Sequence, residues 1–135
     1  MEAAGAEERT RILIVDDEPS LLKMVSTYLR RLGYSVTTSA TTEQALALAA
    51  AEPGGFAATV LDATMKGLSM EKLALEILLA HPSSRVLAAS GYPVDMSALE
   101  AAAPGRVGFL HKPFTPEMLA AAVRGMLATK KEKEL

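Results

Sequence analysis

The stretch "ILIVDDEPS" (Ile12 to Ser20) decides the fold. Its four aliphatic residues, extended by Arg11 to "RILIV", read as a strand buried on both faces, as in a parallel sheet covered by helices. The strand runs straight into Asp16, Asp17 and Glu18. Two unit charges about 4 Å apart repel by roughly 4 kcal/mol at an effective dielectric near 20. An acid pair at the end of a buried strand therefore needs a counterpart: solvent, a proton, a metal or a basic side chain.

Outward from this stretch the chain alternates between two periodicities. From Pro19 to Leu32 apolar residues recur at helical spacing (Leu21, Val25, Tyr28, Leu29, Leu32), and Gly33 supplies the stop. "YSVTT" (34–38) is a second strand. Thr41 followed by Gln44 fits a capping box that opens an alanine-rich helix to about Ala51, broken by "EPGG" (52–55). "FAATVL" (56–61) is a third strand. Leu68 to Ala80 reads as a helix ended by His81 and Pro82, with His81 as its C-cap. "RVLAAS" (85–90) is a fourth strand, 94–102 a short helix and "RVGFL" (106–110) a fifth strand. Thr115 as N-cap, Pro116 at the first helical position and Glu117 in the first turn start the last helix. Its inner stripe is Leu119, Ala122, Val123 and Met126. Residues 1–10 are expected to form a disordered tail, 11–129 one domain, and 130–135 a solvated, charged end.

Five strands alternating with five helices predict an α/β fold with a parallel sheet and right-handed crossovers. The 135 residues suit a single domain. Hydrophobic residues make up 50% of the chain and aromatics only 4%, which favours aliphatic strands under Ala/Leu helices. With no cysteine there is neither a disulfide nor a thiolate metal site. A reducing cytoplasm is compatible with this and is the expected location. The net charge of −2 and the lack of a basic face argue against nucleic-acid binding. The acidic N-terminus is not a secretory signal, and no apolar stretch approaches the ~20 residues that span a bilayer.

In parallel α/β sheets chemistry gathers beyond the carboxyl ends of the strands. Polar residues stand at four of the five ends: Asp16 and Asp17, Asp62, Ser90, and His111-Lys112-Pro113. A rim with three carboxylates, one hydroxyl and one ammonium suits Mg²⁺, a hard cation held by a few carboxylates. It would neutralise the acid pair, with Lys112 as a second counter-charge.

This set, in register with five βα units over roughly residues 10–128, resembles the receiver domain of two-component response regulators. The resemblance implies a flavodoxin-like doubly wound sheet with strand order 2-1-3-4-5. It implies Asp62 as phosphoacceptor from a histidine kinase or histidine phosphotransfer protein. Asp17, Asp62 and the Thr64 carbonyl would ligate Mg²⁺, with Asp16 acting through water. Lys112 and Ser90 would contact the phosphoryl group, and Phe109 would be the switch aromatic. Lys112-Pro113 would be cis. Such a chain phosphorylates itself and hydrolyses its own phosphoryl group rather than turning over a separate substrate. Its downstream protein target, or a second copy in a weak dimer, would read the helix 4–strand 5–helix 5 face (94–128).

Departures from the family pattern concentrate after Asp62, where Met65-Lys66-Gly67 replaces the common Met-Pro-Gly. Lys66 reads as a solvated loop charge or a phosphate or partner contact, and His111 as a partly exposed neighbour of the site. Phe109 lacks the hydroxyl of the more frequent tyrosine. Two other functions are weighed. A Mg²⁺-dependent small-molecule phosphatase of the haloacid-dehalogenase type also begins with Asp after a first strand, but needs a second Asp where Glu18 stands. A phosphorylation-independent interaction module would not need the intact acid set. The chain is expected to be either a stand-alone receiver or one excised from a hybrid histidine kinase.

Overall fold

The structure, a computed structural model, describes residues 9–134, with side chains described for 9–128. Residues 1–8 of the expected tail, and the side chains of the expected charged end, lie outside this range. The strands are β1 (Arg11–Val15), β2 (Ser35–Ser39), β3 (Ala58–Asp62), β4 (Arg85–Ser90) and β5 (Val107–His111). The helices are α1 (Pro19–Arg31), α2 (Thr42–Ala51), α3 (Met70–Ala80), α4 (Ser97–Ala102) and α5 (Pro116–Glu134). All strand pairs are parallel, in the order β2-β1-β3-β4-β5. The doubly wound sheet expected from the alternation is therefore the fold.

The alternation of side chains along each strand splits the core in two. Leu13, Val15, Leu61 and Val86 face Ala45 and Ala49 of α2, Leu73 and Ile77 of α3, and Leu99 of α4. Ile12, Ile14, Val60 and Leu87 face Val25 and Leu29 of α1 and Leu119 and Val123 of α5. Both faces are covered, so β1, β3 and β4 need apolar residues at nearly every position. Each fully buried Leu or Ile contributes about 1.5–3 kcal/mol.

Helix ends follow local chemistry. The Thr41 hydroxyl accepts the Gln44 N–H at 3.1 Å, as the capping box requires. Its reciprocal half differs, because Gln44 Oε1 accepts from the Ser39 hydroxyl at 3.1 Å instead. Thr115 caps α5 by accepting the Met118 N–H at 3.1 Å. α3 begins two residues later than its apolar pattern, because Ser69 takes the N-cap and accepts the Lys72 N–H at 3.1 Å. α4 begins at Ser97 rather than 94. Asp95 accepts both the amide (2.9 Å) and the hydroxyl (2.7 Å) of Ser97, and these bonds hold its carboxyl below the ordinary range. Leu32, expected on the inner stripe of α1, is 45% exposed as the C-cap, while Ser26 is buried with its hydroxyl on the Lys23 carbonyl at 3.2 Å.

His81 is the C-cap of α3, and its ring Nε2 reaches the Ala49 carbonyl of α2 at 3.0 Å. Arg106 completes this end. Its guanidinium donates to the carbonyls of Leu78 (2.9 Å), His81 (2.7 Å) and Ser84 (2.9 Å), and burial pushes its pKa down. A cation on the last carbonyls of a helix also meets the negative end of its dipole.

Two stability outcomes are expected from urea unfolding with unchanged slope. Arg106→Ala lowers stability by about 2 kcal/mol, the scale of hydrogen bonds to a charged donor. Thr59→Val raises it by about 1 kcal/mol, since the fully buried Thr59 hydroxyl has no hydrogen-bond partner.

Candidate functional site

The register of the sheet builds the site. Val15 pairs with Leu61, so Asp16 follows level with Asp62. Asp62 pairs with Ala89, which sets Ser90 one step beyond it, and Ser90 pairs with His111. The ladder continues into the rim through Ala63 N–H to the Ala89 carbonyl (2.8 Å) and Lys112 N–H to the Ser90 carbonyl (2.9 Å). The four strand-end groups predicted from sequence therefore meet at one edge.

Asp16 and Asp62 are buried, with relative exposures of 3% and 7%, while Asp17 is exposed. The Lys112 ammonium lies 2.8 Å from Asp16 Oδ2 and 3.2 Å from Asp62 Oδ2. Burial alone would lower its pKa. The hydrogen bond and charge of Asp16, together with those of Asp62, outweigh that and raise it. A raised lysine pKa keeps the ammonium charged until above the ordinary lysine range, so the bridge is intact at neutral pH. The second oxygens are also engaged. Asp16 Oδ1 accepts the Glu18 N–H at 3.0 Å. Asp62 Oδ1 accepts both the amide (2.9 Å) and the hydroxyl (2.8 Å) of Thr64.

That hydroxyl contact was not foreseen. The family resemblance implies only the Thr64 carbonyl, whereas Asp-x-Thr is a spacing at which side chain and backbone turn on one another. One carboxylate oxygen from each of Asp16, Asp17 and Asp62 lies within 4.8 Å of the others. A donor set made only of oxygens, with one acid exposed to solvent, fits a hard divalent cation.

The remaining residues frame this centre. The Ser90 hydroxyl accepts the Tyr92 N–H at 3.0 Å. Lys112-Pro113 is cis. Phe109 is half-buried on β5, and the exposed His111 packs edge-on against it with ring centroids 4.8 Å apart. Lys66 is exposed, and its carbonyl meets the Thr42 hydroxyl at 3.4 Å. Gly67, at φ +100°, lies against Thr42, where a Cβ would collide with that hydroxyl. The loop after Asp62 is thus docked on α2. Beside Lys112, a cleft of about 460 Å³ opens between Glu18, Leu21, Gly91, Pro113 and Phe114.

Five parallel strands in this order, with an acid triad and a single lysine at the carboxyl edge, define the CheY-like receiver class. A model of the response regulator receiver domain matches residues 12–124, and the chain belongs to that family. It is 31% identical over 116 residues to the sensor kinase CckA of Brucella abortus (strain 2308), covering 86% of this chain and 12% of that protein. It is 33% identical over 121 residues to the nitrogen assimilation regulatory protein NtrX of Azorhizobium caulinodans, covering 87% of this chain and 26% of that protein. The chain therefore spans only a minor part of these relatives. Among solved structures, a CheY-like receiver domain protein from Methanospirillum hungatei JF-1 superposes with a TM-score of 0.79 at 26% identity, covering 93% of this chain and 99% of that one.

Lys112→Met is expected to leave two buried carboxylates without their cation and to lower stability by about 2 kcal/mol, discounted for the partial exposure of the lysine. Millimolar Mg²⁺ is expected to restore part of the loss. Thermal unfolding with and without the ion reads both.

Proposed function

We propose that this receiver accepts a phosphoryl group on Asp62 from the phosphohistidine of a kinase or histidine phosphotransfer protein, in a Mg²⁺-dependent reaction. The observation that carries this is the convergence of Asp16, Asp62 and Lys112 from three different strand ends onto one ammonium-bridged centre. Phosphoryl transfer demands positioning and charge neutralisation more than covalent assistance, and this rim supplies both.

In this reading Asp62 attacks phosphorus as the P–N bond breaks, forming an acyl phosphate; the donor ring, protonated on its other nitrogen, leaves as neutral imidazole. Asp17, Asp62 and the Thr64 carbonyl would hold the ion. Asp16, the closer of the two acids to the Lys112 ammonium, would act through a water. When bound, Mg²⁺ offsets the charge of the carboxylates and of the phosphoryl oxygens. Thr64 fixes the rotamer of Asp62 by holding Oδ1 from two sides. Lys112 moves its charge from the carboxylates to the phosphoryl group. Ser90 turns its hydroxyl toward the same group, a charge-assisted bond of about 1.5–3 kcal/mol. That is enough to invert a two-state equilibrium with a gap of a few kcal/mol. Phe109 is the ring that follows, and the surface formed by α4, β5 and α5 is what a downstream protein reads. Similarity to CckA and NtrX supports histidine kinases as partners and a cytoplasmic site of action. Among the described residues no helix is long and apolar enough to cross a membrane.

Incubation with acetyl phosphate and Mg²⁺ is expected to add one phosphoryl group, seen as a single mass increment. The increment disappears with EDTA and in Asp62→Asn. Labelling that persists in Asp62→Asn would overturn the assignment of the phosphoacceptor.

A further inference from the structure

The outer face of α3 carries an apolar and charged surface that nothing among the described residues covers. Leu79 is 71% exposed. Together with Ser69, Glu71, Lys72, Leu75 and Glu76 it lines a shallow groove of about 440 Å³. Among the described residues neither Lys72 nor Glu76 has an ion-pair partner.

The order of Lys72 and Glu76 along this face is self-complementary, with Glu71 at its flank, about a quarter-turn from Lys72. Lys72 and Glu76 are four residues apart, so they share a face and sit about 6 Å apart along the axis. A two-fold axis at the level of Ala74 sets a second α3 antiparallel to the first. Lys72 of each copy then stands opposite Glu76 of the other. The half-buried Leu75 side chains would meet near such an axis, and each Leu79 would extend over the first turn of the opposite helix. The contact is isologous and closes as a pair. The apolar groove around Met24 (49% exposed) on α1 has no such property. Its flanking charges, Lys23 and Arg31, are both basic, and a two-fold copy would be repelled.

We propose that α3 is the contact surface for a second copy of this chain: an antiparallel helix pair centred on Leu75 and Leu79, with register set by two reciprocal Lys72–Glu76 ion pairs. This surface lies apart from the α4–β5–α5 face and does not depend on Asp62. One helix pair buries less than the roughly 1,200 Å² of a standard interface, so the dimer is weak and concentration-dependent. The ion pairs set orientation more than affinity.

The test is sedimentation equilibrium of the full chain from about 10 μM to about 1 mM, a range that covers weak association. The average mass is expected to rise from the monomer value toward twice that value. Leu79→Glu is expected to remain at the monomer mass throughout. Lys72→Glu and Glu76→Lys each weaken self-association at least roughly tenfold by juxtaposing like charges across the axis. An equimolar mixture of the two single variants, and the double variant carrying both substitutions, associate as the unmodified chain does. The positions are exposed or half-buried, and circular dichroism with acetyl phosphate labelling verifies that each variant is folded. Monomer mass at every concentration, association that persists in Leu79→Glu, or failure of the charge-swapped mixture to recover would each overturn the proposal. None of these outcomes bears on whether Asp62 is phosphorylated.

Discussion

One ammonium holds the carboxyl edge of this sheet together. Lys112 bridges Asp16 and Asp62, residues 96 and 50 positions away in the chain. β4 lies between the strand that supplies the lysine and the strand that supplies Asp62. The bridge must cross the end of β4, and that strand finishes in Ala88, Ala89 and Ser90 and is followed by Gly91, all small. A bulky side chain there would separate the cation from the acids. The composition of one strand end is thus a condition for the electrostatics of its neighbours.

The bridge is also a place where local and global demands conflict. Two buried carboxylates beside one ammonium leave the cluster with net negative charge, and replacing such groups with apolar residues often stabilises a protein. The fold tolerates the conflict because the rest of the sheet, the unpartnered Thr59 hydroxyl aside, is buried and apolar where the covering helices require it. β3 and β4 are buried at every position, and α2, α3 and α5 each begin at a side-chain cap. Strain retained at one rim of an otherwise consistent domain marks that rim as the functional one.

Much of this was legible in the sequence. Unbroken apolar strands alternating with amphipathic helices give a parallel doubly wound sheet. Acids, a hydroxyl and a lysine at strand ends then share an edge whatever the detailed packing. Gly33, Thr41 and Thr115 end or start helices as their chemistry dictates. What was not legible depends on contacts distant in sequence. Nothing local shows that Arg106 reaches the last carbonyls of α3, or that Thr42 anchors the loop at Gly67. The boundaries of α3 and α4 moved because Ser69 and Asp95 bind backbone amides ahead of the apolar pattern. The strand order came from family resemblance, since periodicity fixes which residues pair with a face but not which strands are neighbours.

The same geometry bears on how a change at Asp62 could travel. Lys112 N–H bonds to the Ser90 carbonyl, Ser90 pairs with His111, and His111 packs on Phe109. Contiguity of this kind does not by itself transmit anything; an element with two arrangements is needed. β5 is the natural one. It is an edge strand that is half-buried along most of its length, whereas β3 and β4 are buried throughout. Segments with fewer buried contacts open at lower free energy than the core. Lys112 directly follows β5, so a change in its contacts would bear first on this less buried edge strand rather than on the centre of the sheet.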